Sequence, residues 1–189
     1  MIRIGIVGDI GCGKTFVANK FGYPVFNADL EVNKLYKTDR NCFRKLNKIL
    51  PKHIVSFPIT KTDIAYAILK NNCNLKKIIK IIHPLVRKKM NKFLVINKNK
   101  KIIVLDIPLL LENKINKKND VIVFVESKKS KIIKKLKKKK NFNKKLINKF
   151  KKIQLPIEYK KKKSQFIVRN NFSNKFLKKD INRVLERIL

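Results

Sequence analysis

Acid is scarce in this chain: 12 Asp and Glu stand against 49 Lys and Arg, giving a formal net charge of +37 over 189 residues. Tryptophan is absent, and there are only three cysteines, Cys12, Cys42 and Cys73. An odd number of widely spaced thiols makes neither a disulfide framework nor a zinc site. Reduced thiols suit a cytoplasmic protein. No apolar run approaches the roughly 18–20 residues that span a bilayer. Residues 1–7 read as a strand and not as a charged region leading into an apolar signal. These shortages argue against a membrane-spanning chain and against a small secreted scaffold. They predict a protein made and kept in the cytoplasm.

What is present allows an ordinary core. The hydrophobic fraction is 44%, and the length suits one compact domain with small insertions. The basic excess has two readings. Such a field can serve a polyanion partner. It is also almost all Lys, accompanied by many Asn and Ile, the residues of A/T-rich codons. Aromatic residues are sparse within the Lys runs, which weakens a single-strand stacking role. Nucleic-acid binding is therefore allowed but not favoured. Nothing in the sequence assigns an oligomeric state.

Residues 2–7, IRIGIV, form a continuous apolar run suited to a buried parallel strand. A glycine loop follows, then a helix over 14–21 closed by Gly22 and Pro24. Residues 25–26 read as a short second strand, and 28–50 carry apolar residues at helical spacing. Pro51 and Pro58 bracket a loop. The pattern predicts a helix over 62–80, another from Pro84 to Ile96, and strands at 101–107, 120–126 and 166–169. The Lys-rich stretch 128–163 reads as helical, and 174–189 as an amphipathic helix. Strands alternating with helices predict an α/β fold with a five-stranded parallel sheet covered on both faces. The expected organisation is a single domain over 1–189. Its core is 1–28, 97–127 and 164–189, with a helical substrate-binding insertion at about 29–96 and a Lys-rich lid at about 128–163.

The chemistry enters at Gly8-Asp9-Ile10-Gly11-Cys12-Gly13-Lys14-Thr15, which fits G-x-x-x-x-G-K-[ST] without a mismatch. A strand precedes it and a helix follows, the context a phosphate loop requires. Its glycines let N–H groups converge on phosphate oxygens, and the helix start adds positive potential. Lys14 is expected to reach the β/γ-phosphates and the Thr15 hydroxyl to ligate Mg²⁺. Asp9, Ile10, Gly11, Cys12, Gly13 and Phe16 complete the nucleotide-binding set. Clustered N–H groups predict a thiolate-prone Cys12. GTPases share the loop, but no N-K-x-D tetrapeptide occurs here. The reading is an ATP-using P-loop kinase for a small molecule.

Four segments together resemble the dephospho-CoA kinase family: the loop with Val17-Ala18, then Val25-Phe26-Asn27-Ala28-Asp29, Ile82-His83-Pro84-Leu85-Val86, and Val104 to Glu112 with its D-x-P-L-L-x-E. Residues 154–160, QLPIEYK, and Asn170 match more weakly. The resemblance implies a three-layer α/β/α P-loop fold that uses ATP and Mg²⁺ to phosphorylate the ribose 3′-hydroxyl of dephospho-CoA. It implies that Asp29 is the base, a residue that can also cap a helix. Asp106 can hold Mg²⁺ through water or cap the next segment, and Glu112 carries the same two readings more weakly. His83, read as lying at a helix start, is either an acceptor contact or a structural residue, and Arg87, one turn further along that helix, is a candidate contact for the acceptor's phosphates. Lys135 and Lys139 stand where the family has lid arginines. Phe16 replaces a hydroxyl residue, Asn27 the first Asp of D-A-D, and Asp63-Ile64 a D-R pair. Phe150, Gln165 and Arg169 also depart from the pattern. Two other readings remain open: a P-loop kinase for a nucleoside or nucleotide, and a nucleic-acid-binding ATPase.

Overall fold

The structure, a computed structural model, describes residues 1–138, 142–171 and 174–189. Among them, five strands form one parallel sheet: β1 (Ile2–Gly8), β2 (Val25–Asn27), β3 (Ile102–Asp106), β4 (Val121–Glu126) and β5 (Phe166–Arg169). The order is β2-β3-β1-β4-β5, and all four pairings are parallel. This is the sheet that the apolar runs predict. β3 is buried at every position, as a strand must be when helices cover both faces.

The chain divides into two compact units. The first comprises Met1–Asn27, Asn97–Asn143 and Lys151–Leu189, and holds the whole sheet. One face of that sheet carries Ile4, Ile6, Ile102, Val104, Val123, Val125 and Val168. Three helices cover it: α1 (Lys14–Lys20) with Val17, Ala18 and Phe21, α6 (Lys129–Lys137) with Ile132, and α9 (Asn174–Ile188) with Leu177, Ile181 and Val184. A buried side chain of this size stabilises by about 1.5–3 kcal/mol. Ile132 thus anchors a helix that is otherwise largely lysine. On the other face, Leu110 covers Gly5 so closely that a Cβ there would clash with it.

The second unit comprises Ala28–Ile96 and Lys144–Phe150. Its helices are α2 (Ala28–Thr38), α3 (Arg40–Ile49), α4 (Lys61–Lys70) and α5 (Asn72–Ile96), joined by most of α7 (Lys144–Lys151). Side chains decide where the helical pattern breaks. Asp39 caps α3 by accepting from the Cys42 N–H at 2.9 Å. Thr60 and Asp63 form a reciprocal capping box at the start of α4. This accounts for Asp63, while Ile64 beside it is buried in the unit's core. Asn71 ends α4, and its side chain accepts from Cys73 N–H at 2.8 Å to begin α5.

Two helix boundaries therefore differ from expectation. The break falls at Asn71, and Pro84 lies inside a continuous 25-residue helix. Proline removes the N–H that would bond the carbonyl four residues back. That residue, Lys80, is exposed, so water can serve its carbonyl. His83 consequently sits mid-helix and not at a helix start.

Glu112 is tied up in a structural bridge within the first unit. Its carboxylate lies 2.7 Å from the Lys160 ammonium, with side-chain exposures of 9% and 3%. The same oxygen accepts from Leu155 N–H at 3.1 Å, and Lys160 also donates to Gln154 Oε1 at 3.0 Å. This ties α8 (Ile157–Lys162) to the segment after β3. Removing one partner of a buried pair leaves an uncompensated charge. Glu112→Ala should cost about 3–5 kcal/mol, read as a lower urea midpoint, and the double change Glu112→Leu/Lys160→Met should recover most of it.

Cys12 also departs from expectation. Its side chain is fully buried in the sheet–helix core, and a Cβ on Gly8 would approach its Sγ to 2.8 Å. Burial pushes the thiol above its ordinary range, outweighing the pull of the Lys14 ammonium. The loop holds the sulfur inside the core, so no thiolate is favoured. Cys73 is exposed. In the native protein a maleimide should label Cys73 and spare Cys12, as peptide mass mapping would read. Equal labelling of the two would contradict this burial.

Candidate active site

The candidate site of the first unit lies at the carboxyl ends of β1, β2 and β3, where parallel sheets place ligands. The segment Gly8–Gly13 joins β1 to α1. Gly13 precedes α1 with φ 91° and ψ 32°, and no side chain caps the helix. Gly11 has φ 85°, and a Cβ there would come within 2.9 Å of Leu136 on α6. Both positions thus need glycine, one for the helix entry and the other for the turn and its close packing. The Lys14 ammonium lies over the loop, donating to the Asp9 carbonyl at 2.9 Å and the Gly8 carbonyl at 3.3 Å. Asp9 Oδ1 accepts from Ile10 N–H at 2.7 Å.

The register that sets Asn27 beside Asp106 brings the ends of β2 and β3 together. Thr15 Oγ1 donates to Asp106 Oδ2 at 2.6 Å, and Asn27 Nδ2 donates to that same oxygen at 2.6 Å. Asn27 Nδ2 also lies 3.5 Å from Thr15 Oγ1. Asp106 is 3% exposed. Among the described residues no group of three or more His, Cys, Asp or Glu could hold a metal. A hydroxyl beside a single carboxylate could serve a hard cation that takes its remaining ligands from water and phosphates, as Mg²⁺ does.

The loop is braced from beneath by residues the sequence reading undervalued. Asn170 is fully buried and donates from Nδ2 to the Cys12 carbonyl at 2.8 Å. Ser127 Oγ lies 2.9 Å from that carbonyl and 2.9 Å from the Asn170 carbonyl. Asn170 N–H in turn donates to the Glu126 carbonyl at 2.8 Å. Ser127 directly follows β4, and that strand-end position is the one signal that could have singled it out. Phe16 packs its ring against the core and has the Lys20 ammonium 5.5 Å from its centroid. Lys135 lies exposed on α6; Lys139 lies outside the described residues.

In the second unit, Asp29 is the second residue of α2 and exposed. It belongs to the helix's first turn and is not an N-cap, because α2 begins directly after β2. His83 and Arg87 stand one turn apart on α5. Burial, assisted by the Arg87 guanidinium, holds the His83 imidazole below the usual histidine range. His83 is thus neutral near pH 7, while Arg87 is exposed. The structure brings Thr15, Asn27 and Asp106 together in one unit, and His83 and Arg87 together in the other.

Comparison with known proteins converges on the same description. A family model described as dephospho-CoA kinase matches residues 2–175. The dephospho-CoA kinase of Wolbachia pipientis wMel is 33% identical, over 98% of this chain and 97% of its own length. That of Rickettsia bellii is 31% identical, over 100% and 98%. Among solved structures, the dephospho-CoA kinase from Campylobacter jejuni has a TM-score of 0.65 at 21% identity, covering 98% of this chain and 96% of that one, a likeness in fold. A phosphate loop at the end of a central strand, a carboxylate at the end of its neighbour, and matches that run nearly the length of the chain agree: the chain belongs to the dephospho-CoA kinase family.

Proposed function

We propose that this chain transfers the γ-phosphoryl group of ATP to the ribose 3′-hydroxyl of dephospho-CoA, giving coenzyme A and ADP. The observation that carries the chemistry is the Thr15–Asp106 hydrogen bond of 2.6 Å beside the Gly8–Thr15 loop. Family membership supports the acceptor. The three free thiols suit a reducing compartment, in line with a cytoplasmic reaction.

Each role follows from what the side chain can do. Backbone N–H groups of the loop and of the first turn of α1 bind the phosphates, while those of Ile10 and Cys12 are held by Asp9 within the loop. Lys14 leaves the loop carbonyls that hold it and turns its charge to the β/γ-phosphates. Thr15 and Asp106 would hold Mg²⁺, which would supply positive charge to offset that of the phosphates. Asp29 accepts the proton of the 3′-hydroxyl as the new O–P bond forms and the bond from the γ-phosphorus to the ADP oxygen breaks. Arg87 supplies charge to the acceptor's phosphates, and neutral His83 can hydrogen-bond it. Lys135, with Lys139 by rough alignment, supplies lid charge without the guanidinium fork. Because the transition state is loose, positioning and charge neutralisation provide most of the acceleration.

With Mg-ATP, purified protein should release ADP on addition of dephospho-CoA and not of nucleoside monophosphates. Folded protein inert toward dephospho-CoA would reject the acceptor assignment. Lys14→Ala should lower kcat by about 10²–10³-fold or more, the loss typical of one preorganised transition-state donor. Asp29→Asn should lower kcat by about 10²–10⁴-fold with ATP affinity little changed; an unaltered rate would mean another group takes the proton.

A further inference from the structure

We propose that Asn27 is a positioning residue. Its side-chain amide fixes the Asp106 carboxylate, and with it the Thr15 hydroxyl, in the arrangement that receives a divalent cation, and it restricts that site to one carboxylate. The inference rests on the reading above in placing the cation at Thr15 and Asp106.

The hydrogen bonds dictate the orientation of the amide. A carboxylate only accepts, so the Asn27 atom 2.6 Å from Asp106 Oδ2 must be the NH₂ group. The same oxygen takes the Thr15 hydroxyl at 2.6 Å. Two donors therefore converge on one lone-pair-rich atom of a carboxylate that is 3% exposed. The backbone holds this geometry: Asn27 and Asp106 are register partners at the ends of paired strands. Asn27 stands where the D-A-D pattern carries its first Asp. A carboxylate there would face Asp106 at hydrogen-bond distance, a like-charge repulsion that only a shared proton or a cation would relieve. The amide replaces that repulsion with a charge-assisted hydrogen bond. The Thr15–Asp106 pair is thus assembled before any cation arrives. The charge that attracts the cation is correspondingly halved, and nucleotide phosphates must supply the rest.

The test uses Mn²⁺ as a paramagnetic probe of the full chain, titrated by electron paramagnetic resonance with and without a non-hydrolysable ATP analogue. Asn27→Ala should weaken Mn²⁺ in the nucleotide complex by about tenfold or more, the usual loss when a ligand's orienting partner is removed. Affinity for the analogue in EDTA should be unchanged. Asn27→Asp should bind Mn²⁺ without nucleotide at least about tenfold more tightly than the parent, since a second carboxylate then faces the ion. Mn²⁺ should also raise the melting temperature of Asn27→Asp by more than that of the parent. Parent-like Mn²⁺ affinity in Asn27→Ala would overturn the proposal, as would nucleotide-free binding in Asn27→Asp no tighter than the parent's. The two variants alter the site in opposite directions, so poor folding of one leaves the other decisive. No acceptor is present, so failure of the dephospho-CoA assay is read separately.

Discussion

Two short strands that end at the same level govern the candidate site of this protein. β2 is only three residues long, yet its register against β3 sets Asn27 opposite Asp106. Asp106 then gathers donors from two other parts of the chain, the Thr15 hydroxyl of α1 and the Asn27 amide of β2. A buried carboxylate is costly unless donors satisfy it, so this cluster fixes where α1 begins relative to the sheet. A one-residue slip of β2 would turn Asn27 to the other face and leave Asp106 short of a donor.

The loop beside it depends on the opposite property, freedom from side chains. All five glycines of the chain fall between Gly5 and Gly22. Gly11 admits Leu136 against the turn, and Gly5 admits Leu110 against β1. Loop backbone freed in this way would cost order unless something held it. The Cys12 carbonyl supplies the hold, taken by Asn170 from beyond β5 with Ser127 from beyond β4 at hand. The buried Cys12 side chain pins the same residue from below. The loop is therefore held from behind by side chains far away in sequence, with the Lys14 ammonium resting on its carbonyls.

The sheet and its parallel sense were readable because apolar runs bounded by turn residues leave few alternatives. The loop was readable because its glycine and lysine spacing encodes a geometry. The helix divisions were less so: periodicity continues across a cap, and only the local bonds of Asp39 and Asn71 show where the chain turns. Pro84 misled for a related reason, since a proline whose lost partner carbonyl faces water need not end a helix. The thiol of Cys12 was misjudged because the motif specifies the backbone and says nothing about which way the sulfur points. Asn170 and Ser127 act through hydrogen bonds spanning 158 and 115 residues, a separation that no local pattern records.

The abundance of lysine bears on how such a site can work at all. Where the fold uses a lysine specifically, it uses a point charge. Lys160 meets one carboxylate oxygen of Glu112. Lys149 donates to the Ile68 and Leu69 carbonyls at 2.6 and 3.1 Å, at the C-terminal end of α4 where the helix dipole is negative. Lys14 rests on two loop carbonyls before any phosphate arrives. None of these tasks needs the planar fork of a guanidinium, so arginine has no advantage in them. Phosphate capture by a lid is different, because two parallel hydrogen bonds fix direction as well as charge. In the proposed lid role, an exposed ammonium such as that of Lys135 would attract a phosphate without orienting it. Orientation must then come from the parts of the site that are rigid, namely the braced loop and the carboxylate fixed by Thr15 and Asn27. The strength of that cluster and the plainness of the lysines are thus two sides of one arrangement, with charge supplied broadly and geometry supplied at a single point.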